Sequence, residues 1–381
     1  IYNHINKEIK MQYHYMIGTT LQNSGDEKRI FQIVSQLNRA FKLIIKKKDI
    51  HNLIKLNLIA GKKAKKSAAH EVALKYFRIG YKLLKEDSWI TNYSLAYDIS
   101  SELAESEYMN RNVQRADRLI KVILEHAKTN MEIARVYNMK IHVDIYFGKY
   151  KEAVETGIEG LRLFGVKIPK RIHWFKIFIE AVKVYWNLKG KNIYSIFKKD
   201  LIDKRCINQV EIKKLLSNIR IATFLSNKKL FFLTVLKETN IVLKYGSLKN
   251  RYFTNIGYGI FLSLIGRYKK SLKFGLMDLE ACKNDKHALS NSLMGFSGFI
   301  LPWTEKFETV LEYLEKAYNT CIESGEILLS VCTASNIVAI SYIKGDELGH
   351  LYETIKKYIK TTNKSRNQIN RQIFLIKNII E

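Results

Sequence analysis

Ala134-Arg-Val-Tyr137-Asn-Met-Lys-Ile141-His-Val-Asp-Ile-Tyr-Phe-Gly148-Lys-Tyr150-Lys-Glu-Ala153-Val-Glu-Thr-Gly157-Ile-Glu-Gly160-Leu161 is the stretch on which the fold turns. An apolar helical pattern stops at Gly148, and a second begins at once with Ala153, Gly157 and Gly160 on one side. Residues three and four apart share a helix face, so these small side chains let another helix backbone settle closely. Glycine at the stop supplies the left-handed backbone that ends a helix. The same order returns in Phe261-Leu-Ser-Leu-Ile-Gly266-Arg-Tyr268-Lys-Lys-Ser271-Leu-Lys-Phe-Gly275. A recurring hairpin with a small-residue seam marks a tetratricopeptide-like solenoid, in which each unit buries its apolar face on its neighbours.

Outward from that hairpin, the periodicity predicts helix pairs over 5–22 with 28–46, 49–66 with 68–84, and 93–109 with 113–127. Pairs resume at 208–226 with 229–244, 249–265 with 267–284, 287–301 with 305–323, and 326–343 with 346–361. Anchors placed four or five residues past each turn are Ala73, Ala116, Ala153, Ile193, Phe232, Ser271, Val310 and His350, spaced 37 to 43 residues apart. Ala73, Ala116, Gly148, Ala153, Gly266 and Ser271 are the expected repeat-packing positions. Asn112 stands where the quoted hairpin has Gly148, and asparagine tolerates the left-handed conformation.

Beyond Pro169 the pattern loosens. Ile172, Phe175, Ile179, Val182 and Trp186 form one seam, and Trp174, Phe178 and Tyr185 another, so this helix is expected to lie between neighbours. Residues 189–206 carry a basic connection and a short helix. The expected organisation is N-terminal repeats over 1–169, an irregular helical connection over 170–206, and C-terminal repeats over 207–381. The expected fold class is all-α, a right-handed α-α superhelix of roughly eight helical hairpins.

Composition agrees. Two prolines and 19 glycines in 381 residues leave few breakers, and 47% apolar residues suffice for a continuous core. The net charge of +28 admits nucleic acid or an acidic membrane as a partner. The lysines are spread along the chain, however, and runs such as Lys62-Lys63-Ala64-Lys65-Lys66 read first as a solvated face. Cys206, Cys282, Cys321 and Cys332 show no close pair and read as buried hydrophobes in a reducing compartment. There is no secretory signal, and no apolar run reaches the ~18 residues of a membrane helix. A cytoplasmic location without membrane insertion is expected. Ile1 is not methionine and Glu381 falls within an apolar helical pattern, so either end is expected to be a cut in a longer polypeptide.

The stretches Ile30–Arg39, Leu56–Leu74 (with Gly61 and Ala69), Leu103–Tyr108 and Ala153–Pro169 resemble the helical-repeat region of very large bacterial signalling ATPases. The resemblance implies a serine/threonine-kinase-like domain and an AAA-type ATPase module before this region, with sensor and histidine-kinase modules after it. It implies a regulatory scaffold and carries over no catalytic residue. Maltose-type transcription activators have a similar layout, which implies, as an alternative by analogy, a region that senses a small effector.

The sequence carries few signatures of catalytic chemistry. A phosphate-binding loop needs Gly-x4-Gly-Lys-Ser/Thr, and the nearest stretch, Gly160 to Lys167, lacks the lysine after glycine and the hydroxyl. His70-Glu71 lacks a second histidine, since position 74 is Leu74. The nine histidines show no metal-ligand spacing, and no metal or cofactor is expected. The chain is therefore read as non-catalytic. First helices of such hairpins line the concave side, so Tyr93, Tyr97, Arg135, Asn138 and His142 are the candidate groove for a protein or peptide, or for flanking domains of the same chain. Aromatics at helical spacing more often fill core. The alternative partner is RNA or DNA, for which Lys249-Asn-Arg251-Tyr-Phe offers basic and stacking groups.

Overall fold

Left-handed turns set the limits of the helical hairpins. The computed structural model describes residues 6–67, 69–169, 171–190, 207–245 and 256–362. Gly148 has φ +75° and Gly266 φ +77°. The Gly148 amide donates to the Ile145 carbonyl at 2.9 Å and the Lys149 amide to Asp144 at 2.8 Å, so the turn satisfies carbonyls the helix leaves open. Gly266 and Arg267 repeat both bonds, onto Ser263 and Leu262, at 3.0 and 2.8 Å. These two glycines are turn formers rather than seam residues. The equivalent turn after Met109 puts Arg111, not Asn112, in the left-handed region, with φ 64°. Asn112 has φ −90° and caps the next helix, so the expected alignment is corrected by one residue. Arg111 holds the conformation because the flanking helices close the turn, its amide donating to Tyr108 and that of Asn112 to Glu107 at 2.9 and 2.8 Å.

The chain divides into two compact units, Ile1–Lys128 and Thr129–Glu381. In the first, α1 (Lys7–Asn23) pairs with α2 (Ile30–Arg39), and α3 (Lys47–Lys66) with α4 (His70–Lys82). A single turn, α5 (Ser88–Thr91), leads to the pair α6 (Tyr93–Met109) and α7 (Val113–His126). Each pair packs on the next, α2 on α3 and α4 on α6. Ala73 and Ala116 are fully buried, as the seam requires. Phe77 is fully buried too, and its ring lies where a Cβ on Gly61 would be.

The second unit opens with α8 (Asn130–Tyr146) and α9 (Tyr150–Leu163), the quoted hairpin. Thr129 caps α8: the Glu132 amide donates to Thr129 Oγ1 at 3.2 Å, and the Thr129 amide to Glu132 Oε2 at 2.9 Å. Next come α10 (Trp174–Leu188), α11 (Ile207–Asn218), α12 (Arg220–Ser226) and α13 (Lys228–Tyr245). The unit continues through α14 (Ile256–Leu264), α15 (Tyr268–Cys282), α16 (Lys286–Phe299), α17 (Phe307–Ser324), α18 (Ile327–Lys344) and α19 (Leu348–Thr362). From α14 onward each helix packs on the next. Ser271 is buried and donates from Oγ to the Gly259 carbonyl at 2.7 Å, a bond that needs the α14 and α15 backbones close together. Among the described residues every regular element is a helix, and the chain is an all-α helical solenoid built of paired helices.

Beyond α10, most of the expected connection over 170–206 lies outside the described residues. Helices α11 and α12 pack back on α8 and α9, with Leu215 at Gly160 and Ile219 at Gly157. Ile141, Leu161, Leu215, Ile219 and Phe231 share one core. The two compact units meet in sequence at Lys128/Thr129. Ile193, Cys206 and the stretch 249–253 lie outside the described residues.

Helix α10 departs furthest from expectation. It packs on α13 through Ile177, Glu180 and Val184, and neither expected seam is the buried one. The polar register explains this. Glu180 meets Lys237 at 3.3 Å and accepts from Asn240 at 2.9 Å, while Asn187 donates to Asn240 at 2.9 Å. These bonds turn the Glu180 side inward and leave the aromatic side out.

Candidate functional site

The first unit carries a ladder of rings along α5, α6 and the end of α7. Trp89 stacks on His126 with centroids 4.4 Å apart, and Tyr93 lies 6.2 Å from both Trp89 and Tyr97. One helical turn separates Tyr93 from Tyr97 on α6, and the bend at Asn92 between α5 and α6 leaves Trp89 beside Tyr93. The Lys128 amide donates to the Tyr93 hydroxyl at 3.1 Å, and its ammonium sits 4.1 Å from the centre of the Tyr93 ring. Tyr93 is half-buried, whereas Tyr97 is buried and belongs to the core rather than to a groove. Trp89, His126 and Lys128 join the set. The four-residue spacing of Trp89 and Tyr93 was legible in the sequence; their stacking on α7 was not.

Several charges in this unit are paired across helices. Arg78 donates to both oxygens of buried Glu107, each at 2.7 Å. Within the lysine run, Lys65 lies 3.0 Å from Glu102 and 2.8 Å from Glu105, and Lys62 lies 3.8 Å from Asp98. Burial works against the Lys65 ammonium, but Glu105 and Glu102 outweigh it and hold its pKa above the ordinary lysine value. This run zips α3 to α6, so half of it is neutralised rather than presented to phosphate.

In the second unit the other candidates separate. Arg135 is exposed on α8 and His142 is half-buried there. Asn138 is buried: it donates to the Ala134 carbonyl at 2.9 Å and to Glu211 at 3.2 Å, and accepts from Asn218 at 2.7 Å. An amide so occupied joins α8 to α11 and does not face a partner. Its partners lie over 70 residues away, beyond the reach of any local pattern.

Deeper in this unit lies a charged cluster that the sequence did not reveal. Arg220 donates to both oxygens of Glu238 at 3.0 and 2.9 Å and to Ser217 Oγ at 2.9 Å. Lys213, only 1% exposed, lies in the field of Glu238, Asp278 and Arg220. Burial pulls its pKa below the ordinary value; Glu238 and Asp278 oppose that shift, and Arg220 adds to it. Ser292 donates to Asp278. Two cations and two carboxylates balance, which makes their burial tolerable. Burial pushes the Cys282 and Cys321 thiols up, and that of Cys332 up to about 12, so all three are thiols at neutral pH. Among the described residues no three His, Cys, Asp or Glu converge on a metal-sized site, and no helix is long and apolar enough to cross a membrane.

No protein family profile matches the chain. It is 23% identical over 365 residues to hybrid signal transduction histidine kinase G of Dictyostelium discoideum. That match covers 86% of this chain but only 10% of the relative, so the chain spans about a tenth of that protein. Among solved structures it is similar to a signal transduction ATPase with numerous domains, with a tetratricopeptide repeat sensor, from Pyrococcus horikoshii. There the identity is 12% and the TM-score 0.33, over 99% of this chain and 56% of the other. The chain is thus an all-α region similar to part of a signalling protein.

Proposed function

We propose that the chain is a non-catalytic interaction and regulatory scaffold within a larger signal-transduction protein, the tetratricopeptide-like part that couples partner binding to flanking ATPase or kinase modules. The observation that carries this reading is the extent of the match. Nearly the whole chain aligns with one-tenth of a histidine kinase, and that tenth corresponds here to stacked hairpins whose buried charges pair with one another. In a stacked helical array small adjustments at each packed interface add up, a means of shifting populations at its ends. The partner is a protein or peptide, or an adjoining domain of the same polypeptide. The proposed contact residues are Tyr93, with Trp89 and Lys128 beside it, in the first unit and, separately, Arg135 and His142 in the second.

Displayed-library peptides, single-stranded RNA and duplex DNA, each fluorescently labelled, are titrated into the full chain at ~50 and ~200 mM salt. Peptide binding is expected to change little with salt and to weaken in Tyr93→Ala and Arg135→Ala. Micromolar RNA or DNA binding that survives the higher salt would replace the scaffold reading with the nucleic-acid one.

A further inference from the structure

We propose that α10 is a peripheral docking helix for an anionic lipid bilayer. Its outward side holds Trp174 (57% exposed), Phe175 (69%), Phe178 (64%), Tyr185 (63%) and Trp186 (61%), with Ile179 between them. At about 100° per residue these side chains sweep an arc of ~140°, opposite the side that packs on α13. From Trp174 to Trp186 the stripe is ~18 Å long. Isolated exposed aromatics are ordinary, but a continuous stripe of this kind marks an interaction surface.

The charge around the stripe selects the occupant. Lys176 and Lys183 border one edge, and Arg171 and Lys189 stand at the ends. Lys229 of α13 approaches Trp174, 5.6 Å from the ring centre, and Lys189 lies 4.9 Å from the centre of the Trp186 ring. The carboxylates of α10 and α13 are Glu180 and Glu238, and both are buried and paired with cations. Lys183 shares Glu180 at 3.1 Å, and Lys176, Lys189, Lys229 and Arg171 keep the exposed rim cationic, since Glu180 and Glu238 are the only carboxylates of the two helices. Aromatic rings flanked by lysines suit the headgroup boundary of an anionic membrane: the rings enter, and the ammonium groups stay with the phosphates. Tryptophan at both ends and tyrosine near one fit a helix lying in that plane, where one edge of the ring is apolar and the other wet. Because α10 is already folded on α13, docking orders nothing new.

The test is flotation of the full chain with vesicles of phosphatidylcholine alone and of phosphatidylcholine mixed with phosphatidylserine, beside tryptophan quenching by brominated lipid. Binding to the anionic vesicles, weakened by salt, is expected, with quenching of the native fluorescence. The double variant Phe175→Ser/Phe178→Ser, at exposed positions and with its fold checked by circular dichroism, is expected to bind at least ~10-fold more weakly. Absence of flotation, indifference to phosphatidylserine, or equal binding of the variant overturns the proposal. So does a dimer that the double variant abolishes, which gives the stripe to a second copy, or protection from quenching by RNA rather than by lipid.

Discussion

Arg220 on α12 grips both carboxylate oxygens of Glu238 on α13, at 3.0 and 2.9 Å, inside the core of the second unit. Lys213 on α11, 1% exposed, lies in the same field, so three successive helices bring buried charges together. Glu238→Ala removes the carboxylate that pairs with Arg220 and is expected to cost ~3–5 kcal/mol in urea unfolding. The pair substitution Arg220→Met with Glu238→Leu removes both charges and is expected to cost less than Glu238→Ala alone. A cost equal to the sum of the two single changes would mean that the pair is not coupled.

Gly157 faces Ile219 with no room for a methyl group, and Ile219 is fully buried. Gly157→Ala is expected to destabilise the second unit by ~1–3 kcal/mol, since helix propensity favours alanine but the seam refuses its Cβ. Adding Ile219→Ala opens space, and the double variant should lose less than the two single losses combined. Strict additivity in denaturant midpoints would show that α9 and α12 do not meet at this point.

Arg111 sits at φ 64° where the sister turns use glycine. Arg111→Gly removes the left-handed penalty but loosens the unfolded chain, for a net gain of up to ~1 kcal/mol. Gly148→Ala imposes the opposite change and should lower stability by a similar amount. Thermal midpoints of the two variants are expected to move in opposite directions; a shift of both the same way would contradict the turn assignment.

Acid should loosen α10. Burial alone would raise the Glu180 carboxyl, but Lys237 and Lys183 outweigh it and hold its folded-state pKa below the ordinary 4.5. The unfolded chain then binds this proton more readily than the folded one. The group's contribution is full above the unfolded value and fades as pH falls through the folded one. Urea midpoints measured from ~pH 6 to ~pH 3 should fall less in Glu180→Gln than in the wild type. Parallel curves would remove Glu180 from the docking of α10.

The resemblance of four stretches to signalling-protein repeats and the similarity to a histidine kinase reach the same region from different sides, yet neither locates a binding residue. Of the five groove candidates, Tyr97 and Asn138 went to the core. A tyrosine or asparagine on a first helix has the same local spacing whether its tip meets solvent or Glu211.

What the sequence determined by itself is the set of features whose cause lies within one hairpin. Gly148 and Gly266 announce their turns because the left-handed backbone is a property of one residue. Ala73, Ala116, Ala153 and Ser271 announce a seam because helical period and small size act over a few neighbours. Only the tertiary structure decided which side of α10 is buried, where the units divide, and that Lys213, Arg220 and Glu238 share an interior. Each of those outcomes depends on a partner supplied by another helix: Lys237 and Asn240 for Glu180, α8 and α9 for Ile219 and Leu215, and α13 for Arg220. Burial of a charge or an aromatic ring is set by what stands across from it, and neither composition nor period carries that.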